Sequence, residues 1–217
     1  MSDTNKINSY QHVSHGRNEL IIWFGGIGEP FLNSNFIHAC ETDALFLVDV
    51  ACDWYMGGLS GVSSSYAETA EWIELLIEKH KYSKVFLGGQ SSGGYAALHT
   101  AALLKKASGV TALAPQTRNL ENFKKMMMPG VPIADLSKIY NDSMNFPVHL
   151  HIARSERLHM EEFFWDDWNQ VDWLLERSHV MVTRYPSDRH PVSLDMYRHG
   201  IFYQTVINDV QMFRSYQ

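Results

Sequence analysis

The chain has 217 residues, of which 45% are hydrophobic and 19% charged, so it can bury a substantial core and is not a disordered segment. Its net charge of −6, with lysines and arginines scattered rather than clustered, argues against a nucleic-acid-binding surface. Residues 1–18 are polar and no apolar run approaches the roughly 20 residues of a membrane span, so we expect neither secretion nor membrane insertion.

Strands and helices alternate along the chain after this polar N-terminal segment. Apolar runs predict strands at 19–24, 44–50, 84–90, 109–114, 146–153 and 179–185. Helical patterns occur at 31–40, 64–80, 92–105, 160–177 and 194–213. This alternation predicts a single α/β domain over residues 19–217, with a mostly parallel sheet of about six strands and helices on both faces.

The first predicted strand runs into a loop that contains Gly25, Gly26 and Gly28. A glycine-rich turn after a strand also occurs in dinucleotide-binding proteins. Here the third glycine position of that motif holds Phe31, and Pro30 interrupts the turn. We therefore reject dinucleotide binding as the role of this loop.

Two other segments are candidates for contact with a substrate. Trp54 and Tyr55 follow the second predicted strand, at the sheet end where ligands bind in open α/β folds. They either line the substrate cleft or pack in the core. Residues 116–145 are a possible small cap, in which the adaptable side chain of Met127 would cover an acyl group, or an ordinary excursion that packs on the sheet.

The third predicted strand ends in a Gly-x-Ser-x-Gly turn centred on Ser91, which a helical pattern follows. Gly89 and Gly93 flank Ser91 at the spacing where side chains would collide if the strand turned sharply into a helix. This context predicts a nucleophile elbow, in which the backbone N–H of Ser92 lies beside the Ser91 hydroxyl as an oxyanion donor. A P-loop is excluded because the lysine and the following Ser or Thr that hold phosphate and magnesium are missing.

A serine nucleophile needs a base and an orienting acid, and in this arrangement the acid precedes the histidine in the chain. His190 lies in the loop between the last strand and the terminal helix, from which an imidazole can reach Ser91, so we predict it as the base. Glu156 comes just past the end of the preceding strand and is the preferred acid. Asp167, on a helical stretch whose other interpretation is a solvated face, and Asp188, in the loop of His190, stay open as alternatives.

A pair of histidines, His149 and His151, occupies one face of the fifth predicted strand. This spacing can bind zinc. The sequence offers no third ligand at a convincing distance, so it favours ordinary core or surface histidines and predicts no metal and no cofactor.

Several of these motifs carry a resemblance to a known family: the elbow, the stretch from Leu113 to Thr117, the stretch from Glu156 to Met160, and the loop of His190 with its terminal helix. On these motifs the chain resembles the α/β-hydrolases. It resembles in particular the short serine-hydrolase-like proteins that bacteria often encode beside polysaccharide biosynthesis genes. The resemblance extends from about Glu19 to the end of the chain and implies the α/β-hydrolase fold.

The resemblance also implies a second oxyanion donor. When the loop after the first strand is aligned with the family's His-Gly-x-Gly loop, the donor is the backbone N–H of Ile27. Two departures from the family's pattern accompany this alignment. Gly25 and Gly26 replace the usual His-Gly, and the preferred acid, Glu156, is a glutamate where aspartate is commoner.

Together these features predict a serine hydrolase that cleaves a carboxylic ester or thioester through an acyl-enzyme on Ser91. An acyltransferase with a saccharide or other hydroxyl acceptor would use the same triad, and a non-catalytic binding protein on a hydrolase scaffold is a further alternative. The expected partner is a small-molecule or saccharide-linked acyl substrate. Cys40 and Cys52 lack a C-x-x-C spacing and favour reduced thiols, so we expect a cytoplasmic protein.

Overall fold

One sheet runs through the protein in the computed structural model, which describes residues 9–29, 40–118, 134–140, 145–153, 167–187 and 192–216. Its strands in these ranges are β1 (Tyr10–Val13), β2 (Glu19–Phe24), β3 (Asp43–Leu47), β4 (Lys84–Gln90), β5 (Gly109–Leu113), β6 (Val148–Ala153) and β7 (Val180–Tyr185). They lie in the order β1-β3-β2-β4-β5-β6-β7. Strands β2 to β7 are parallel, as the alternation of strands and helices predicts.

The edge strand β1 was not predicted, because its sequence Tyr-Gln-His-Val is half polar and lies in the polar N-terminal segment. It pairs antiparallel with β3, with Tyr10 opposite Leu47 and Val13 opposite Ala44. An edge strand is half solvated, so it needs no apolar run. The sheet therefore has seven described strands where the sequence predicted about six.

The described helices are α1 (Tyr66–His80), α2 (Ser92–Leu103), α3 (Asp167–Val171), α4 (Ser193–Arg198) and α5 (Phe202–Ser215), with single 3-10 turns at Leu136–Lys138 and Asp172–Leu174. The side chain of Ser65 caps α1 by accepting the N–H of Glu68. The single helix predicted at 194–213 is two helices. Gly200, at a φ of 69°, separates α4 from α5, because a left-handed residue of this kind ends a helix.

Hydrophobic side chains cover both faces of the sheet. On one face, Leu20, Leu45 and Leu87 pack with residues of α1 and α2. On the other face, Phe46 and Phe86 pack with α5. Burial on both sides explains why the central strands are nearly continuous apolar runs.

Some predicted features lie outside the described residues. These are the helix at 31–40 apart from Cys40, Met127 of the possible cap, and the site residues Glu156, Asp188 and His190. The described end of the cap segment packs in the core, where Leu136 and Tyr140 are buried. In the described part of the chain, no helix combines the length and the apolar character that a membrane crossing requires.

Candidate active site

Ser91 forms the turn between β4 and α2, at the edge of the sheet where the parallel strands end. Its φ of 51° and ψ of −118° lie outside the regions that serine ordinarily adopts. The N–H of Ser91 donates to the carbonyl of Leu113 at 2.8 Å, and its carbonyl accepts the N–H of Tyr95 at 3.1 Å. Its hydroxyl lies 3.4 Å from Oε1 of Gln116, a residue of the loop after β5. The predicted strand, sharp turn and helix are therefore present around Ser91.

The two glycines that flank Ser91 are required by close backbone contacts. A Cβ at Gly89 would lie 2.3 Å from the carbonyl oxygen of Gly93, and a Cβ at Gly93 would lie 2.2 Å from the carbonyl oxygen of Phe24. No side chain fits at these distances. The start of α2 can pack against the ends of β2 and β4 only because both positions lack a Cβ.

The two predicted oxyanion donors lie next to each other. Ser92 begins α2, so its backbone N–H is one of the amides at a helix start that have no acceptor within the helix. The N–H of Ile27, in the loop after β2, donates to Oγ of Ser92 at 3.1 Å. This hydrogen bond holds the loop after β2 against the start of α2, and the role of the two N–H groups as oxyanion donors stays a prediction.

A partly buried carboxyl group, that of Glu29, stabilises the same loop. Its Oε2 accepts the N–H of Gly26 at 2.6 Å, and its own N–H donates to the carbonyl of Gly26 at 3.0 Å. Burial raises the pKa of Glu29 above its usual value, although the hydrogen bond from Gly26 acts in the opposite direction. The contact of Glu29 with this loop was not predicted, because its only signal in the sequence is its position three residues after a glycine in a turn.

Trp54 and Tyr55 lie in the loop after β3, both with positive φ, at 64° and 61°. Their side chains are fully buried, and the hydroxyl of Tyr55 lies 2.9 Å from the carbonyl oxygen of Gly25. Asp49 accepts the N–H of Trp54 at 2.7 Å and so helps to fix the loop. This placement agrees with the core-packing alternative. The hydroxyl of Tyr55 also supports the glycine loop, which is the loop after β2 that contains Gly25, Gly26 and Gly28. Contact of either side chain with a substrate stays a prediction.

Asp167 is buried at the carboxyl end of β6, with 1% of its surface exposed. Its Oδ2 accepts the N–H of Ala153, the last residue of β6, at 2.8 Å, and Asp167 begins α3. The solvated helix face that the sequence offered as its other interpretation is therefore wrong for this residue.

The strand order sets the spacing between Ser91 and Asp167. They follow β4 and β6, which β5 alone separates, so they stand about two strand spacings, or roughly 10 Å, apart. Strand β7 ends beside β6, where Tyr185 is the register partner of Ala153. The loop that holds His190 leaves the sheet at this same edge. An imidazole with a hydrogen bond at each ring nitrogen spans about 8 Å, so a bridge requires the serine and carboxylate side chains to reach towards each other from these strand ends.

Comparison with solved structures identifies proteins that share this architecture. A lipase-esterase related protein from Clostridium acetobutylicum matches with a TM-score of 0.59 at 14% identity, covering 94% of this chain and 98% of its own. A monoacylglycerol lipase from Paleococcus ferrophilus matches with a TM-score of 0.58 at 12% identity, covering 95% and 99%. An esterase from Pyrococcus furiosus matches with a TM-score of 0.59 at 13% identity, covering 93% and 84%.

No protein-family model matches the chain, and no curated protein sequence matches it. At these identities the structural likeness shows the fold alone. The predicted α/β-hydrolase fold is confirmed by the sheet topology and by these neighbours.

Proposed function

We propose that the protein is a serine hydrolase that cleaves a carboxylic ester or thioester through an acyl-enzyme on Ser91. The observation that carries the proposal is the backbone of Ser91, which has a positive φ at a strand-to-helix turn and is enclosed by two glycines that cannot carry a side chain. Strain of this kind persists where the surrounding structure enforces it and is concentrated at functional sites. The neighbouring lipases and esterases add fold-level support.

In the proposed reaction, Oγ of Ser91 attacks the carbonyl carbon while His190 accepts the hydroxyl proton. The oxyanion that forms accepts hydrogen bonds from the N–H groups of Ser92 and Ile27, each worth about 2.7–4 kcal/mol of the barrier. The N–H of Ile27 donates to Oγ of Ser92 in the resting site, so the oxyanion replaces that hydroxyl as its acceptor. The leaving alcohol or thiol takes the proton from His190, and water then releases the acyl group.

Asp167 is the carboxylate that we propose as the orienting acid. Its burial at the end of β6 and its fixed bond to Ala153 meet the requirement for an acid beside the strand that precedes the histidine loop. A carboxylate has acceptor sites for several donors, so the bond to Ala153 leaves capacity for an imidazole N–H. Glu156, which the sequence favoured, is the competing assignment.

Labelling with a fluorophosphonate probe tests the proposal, because such probes react with activated serines. We expect the wild-type chain to be labelled once, and Ser91→Ala to lose both labelling and turnover of short acyl esters and thioesters while its thermal unfolding is unchanged. Ser83→Ala is the matched control. Ser83 directly precedes β4, at the opposite end of the strand that leads to Ser91, so labelling should persist.

Two results would contradict the proposal. Turnover that persists in pure Ser91→Ala protein would exclude the acyl-enzyme, and a wild-type chain that is neither labelled nor active would favour a binding protein on a hydrolase scaffold. Adding mono- and oligosaccharides to the assay separates hydrolysis from acyl transfer. Transfer would give an acylated saccharide in place of the free acid.

A further inference from the structure

Polar side chains interrupt the hydrophobic core on the face of the sheet that α5 covers. His149 and His151 point from β6 towards this helix, and the carboxylate of Asp209 in α5 contacts one nitrogen of each ring. His151 and Asp209 are fully buried, and the side chain of His149 is 15% exposed. We call these three residues the His149–His151–Asp209 cluster.

The cluster brings three metal-ligating groups to one point. Nδ1 of His149 lies 2.7 Å from Oδ1 of Asp209, and Nε2 of His151 lies 2.7 Å from Oδ2. The ligand atoms of the three side chains all lie within 4.8 Å of one another. The sequence showed only the two histidines, because Asp209 is 58 residues from His151 in the chain.

The charge of the cluster favours a cation. A hydroxyl from Thr111 and the two imidazoles converge on the Asp209 carboxylate, and donors around a carboxylate favour its ionised form. Of the residues that the structure describes, only the two histidines lie within ion-pair distance of this carboxylate. Buried charges in proteins are usually paired or coordinate metals, and no lysine or arginine among the described residues pairs with Asp209.

The ring nitrogens of His149 and His151 that do not contact Asp209 also have hydrogen-bond partners. Nε2 of His149 lies 2.8 Å from the hydroxyl of Thr183, and Nδ1 of His151 lies 2.9 Å from the hydroxyl of Tyr185. A hydroxyl can donate or accept, so each can turn to accept an N–H when the opposite ring nitrogen binds a metal. Such outer partners orient the rings of metal-ligating histidines.

We propose that the His149–His151–Asp209 cluster binds one Zn²⁺ ion through Nδ1 of His149, Nε2 of His151 and a carboxylate oxygen of Asp209. Two imidazoles and one carboxylate are a set that zinc takes, with a fourth position for water. Calcium and magnesium prefer oxygen ligands, so they fit the cluster poorly.

Binding of Zn²⁺ requires the hydrogen-bonded side chains of the cluster to move slightly apart. Tetrahedral ligands at 2.0–2.1 Å from the ion stand about 3.3 Å apart, so the two 2.7 Å contacts widen by about 0.6 Å. Entry occurs along the partly exposed edge of His149. The bound ion would join α5 to β6 and stabilise the folded state, because a ligand that binds only the native protein shifts unfolding.

The test uses the full chain, stripped with a chelator and then titrated with Zn²⁺ or with Co²⁺ as a spectroscopic probe. We expect one tightly bound equivalent, the visible absorption of Co²⁺ with nitrogen ligands, and a melting temperature that rises with Zn²⁺ concentration. His149→Gln and Asp209→Asn keep similar shapes and should weaken binding by at least about 100-fold. The site does not depend on the proposed hydrolysis, so turnover is not a readout.

A second histidine pair provides the matched control. The rings of His12 and His80 lie 4.9 Å apart near the N-terminal edge strand, and this pair is the competing site for stray metal. The double variant His12→Gln/His80→Gln should retain the bound equivalent. Binding that is lost in this double variant but retained in His149→Gln would overturn the proposal, as would the absence of a stoichiometric equivalent in the wild type.

A milder variant keeps the proposal testable if the cluster variants unfold. Thr183→Val removes only the outer partner of His149, and it should weaken Co²⁺ binding about 10–100-fold in a protein with wild-type circular dichroism. Unchanged affinity in a folded Thr183→Val protein would contradict the assigned ligand geometry.

Discussion

The backbone of Ser91 illustrates how a single strained residue is held. A positive φ in a non-glycine residue of this kind costs about 1–3 kcal/mol. Two hydrogen bonds fix the turn. The N–H of Ser91 donates to the carbonyl of Leu113 in β5, and the N–H of Tyr95 in α2 donates to the carbonyl of Ser91. The hydrogen bonds to β5 and α2 therefore offset the conformational cost of the positive φ, and the Ser91 side chain is carried on a rigid backbone.

The variant Asp167→Asn tests whether Asp167 is the orienting acid. Asparagine preserves the side-chain volume and an oxygen for the N–H of Ala153, but it removes the charge that stabilises an imidazolium. We expect kcat to fall by about 10³–10⁴-fold with little change in KM, as measured by steady-state hydrolysis of a short acyl ester that the wild-type chain cleaves.

Two other variants show whether this effect is specific. Asp172→Asn changes the next aspartate along the same helical segment, a half-exposed residue paired with Arg118, and should be nearly silent. A large loss in Glu156→Gln together with a mild effect in Asp167→Asn would return the acid to Glu156. His190→Ala combined with Asp167→Asn should be hardly worse than His190→Ala alone, because residues of one catalytic unit are not additive.

Two carboxylates that the sequence misjudged or missed share one physical cause. Asp167 and Asp209 each lie within a predicted helix, where a carboxylate is normally solvated. Both are buried because a donor from a distant strand meets them, Ala153 for Asp167 and His151 for Asp209. Such pairing depends on tertiary packing and leaves no trace in local spacing. The sharp turn at Ser91, by contrast, is predictable because its glycines, strand and helix lie within one short segment.

At the scale of elements, the sequence predicts best where burial is greatest. The bounds of β2 and β4 agree with the predicted strands because both are long apolar runs between polar ends. The edge strand β1 escapes prediction because it is half polar. The break between α4 and α5 could have been predicted from Gly200, since glycine often ends a helix.

Gly93→Ala tests the packing of α2 against the ends of β2 and β4. Its Cβ would lie 2.2 Å from the carbonyl oxygen of Phe24 and 2.7 Å from that of Gly25, and neither backbone group can move without breaking the sheet edge or the glycine loop. We expect loss of labelling at Ser91 and a melting temperature lower by more than about 10 °C, from a strain of several kcal/mol.

Gly94→Ala is the control for this prediction. In Gly94→Ala the Cβ would lie 3.1 Å from Cβ of Pro115 and 3.3 Å from the carbonyl oxygen of Gly89, contacts that shifts of a few tenths of an ångström relieve, and alanine favours the helix. Its melting temperature should change far less. Equal destabilisation by the two variants would mean that the contact with Phe24 does not limit the turn.

Across the whole molecule, the candidate site draws on parts of the chain that are far apart. The glycine loop follows β2, Ser91 follows β4 and Asp167 lies at the end of β6. Parallel strands bring these segments to one edge, which is where ligands bind in open α/β sheets. The sequence therefore predicts the location of the site from topology alone, whereas the contacts within it depend on loops whose conformations the topology does not specify.

The opposite edge of the sheet is fixed by a buried carboxylate, that of Asp43 at the start of β3. It accepts hydrogen bonds from the hydroxyl of Ser14 at 2.6 Å, the N–H of His15 at 2.8 Å, the N–H of Arg17 at 3.1 Å and the hydroxyl of Tyr82 at 2.8 Å. Burial alone would raise the pKa of Asp43, but these hydrogen bonds outweigh it and lower the pKa below the usual value. The carboxylate thus ties the β1–β2 connection to β3 and to Tyr82, which lies between α1 and β4.

Asp43→Asn should destabilise the whole molecule in a pH-dependent way. At neutral pH an amide replaces an acceptor of four hydrogen bonds, and we expect a loss on the order of 2 kcal/mol, or a melting temperature lower by about 4–8 °C. Because the pKa of Asp43 is depressed in the folded state, its contribution is complete above the ordinary aspartate value of 3.8 and disappears as the pH falls through the folded value. Thermal melts from pH 7 downwards should therefore show a constant gap between wild type and Asp43→Asn that narrows only below that value. Ser14→Ala removes one donor and should give a smaller gap of the same pH dependence, whereas a gap that persists unchanged at the lowest pH would mean that the carboxylate charge does not hold the N-terminal segment to the sheet.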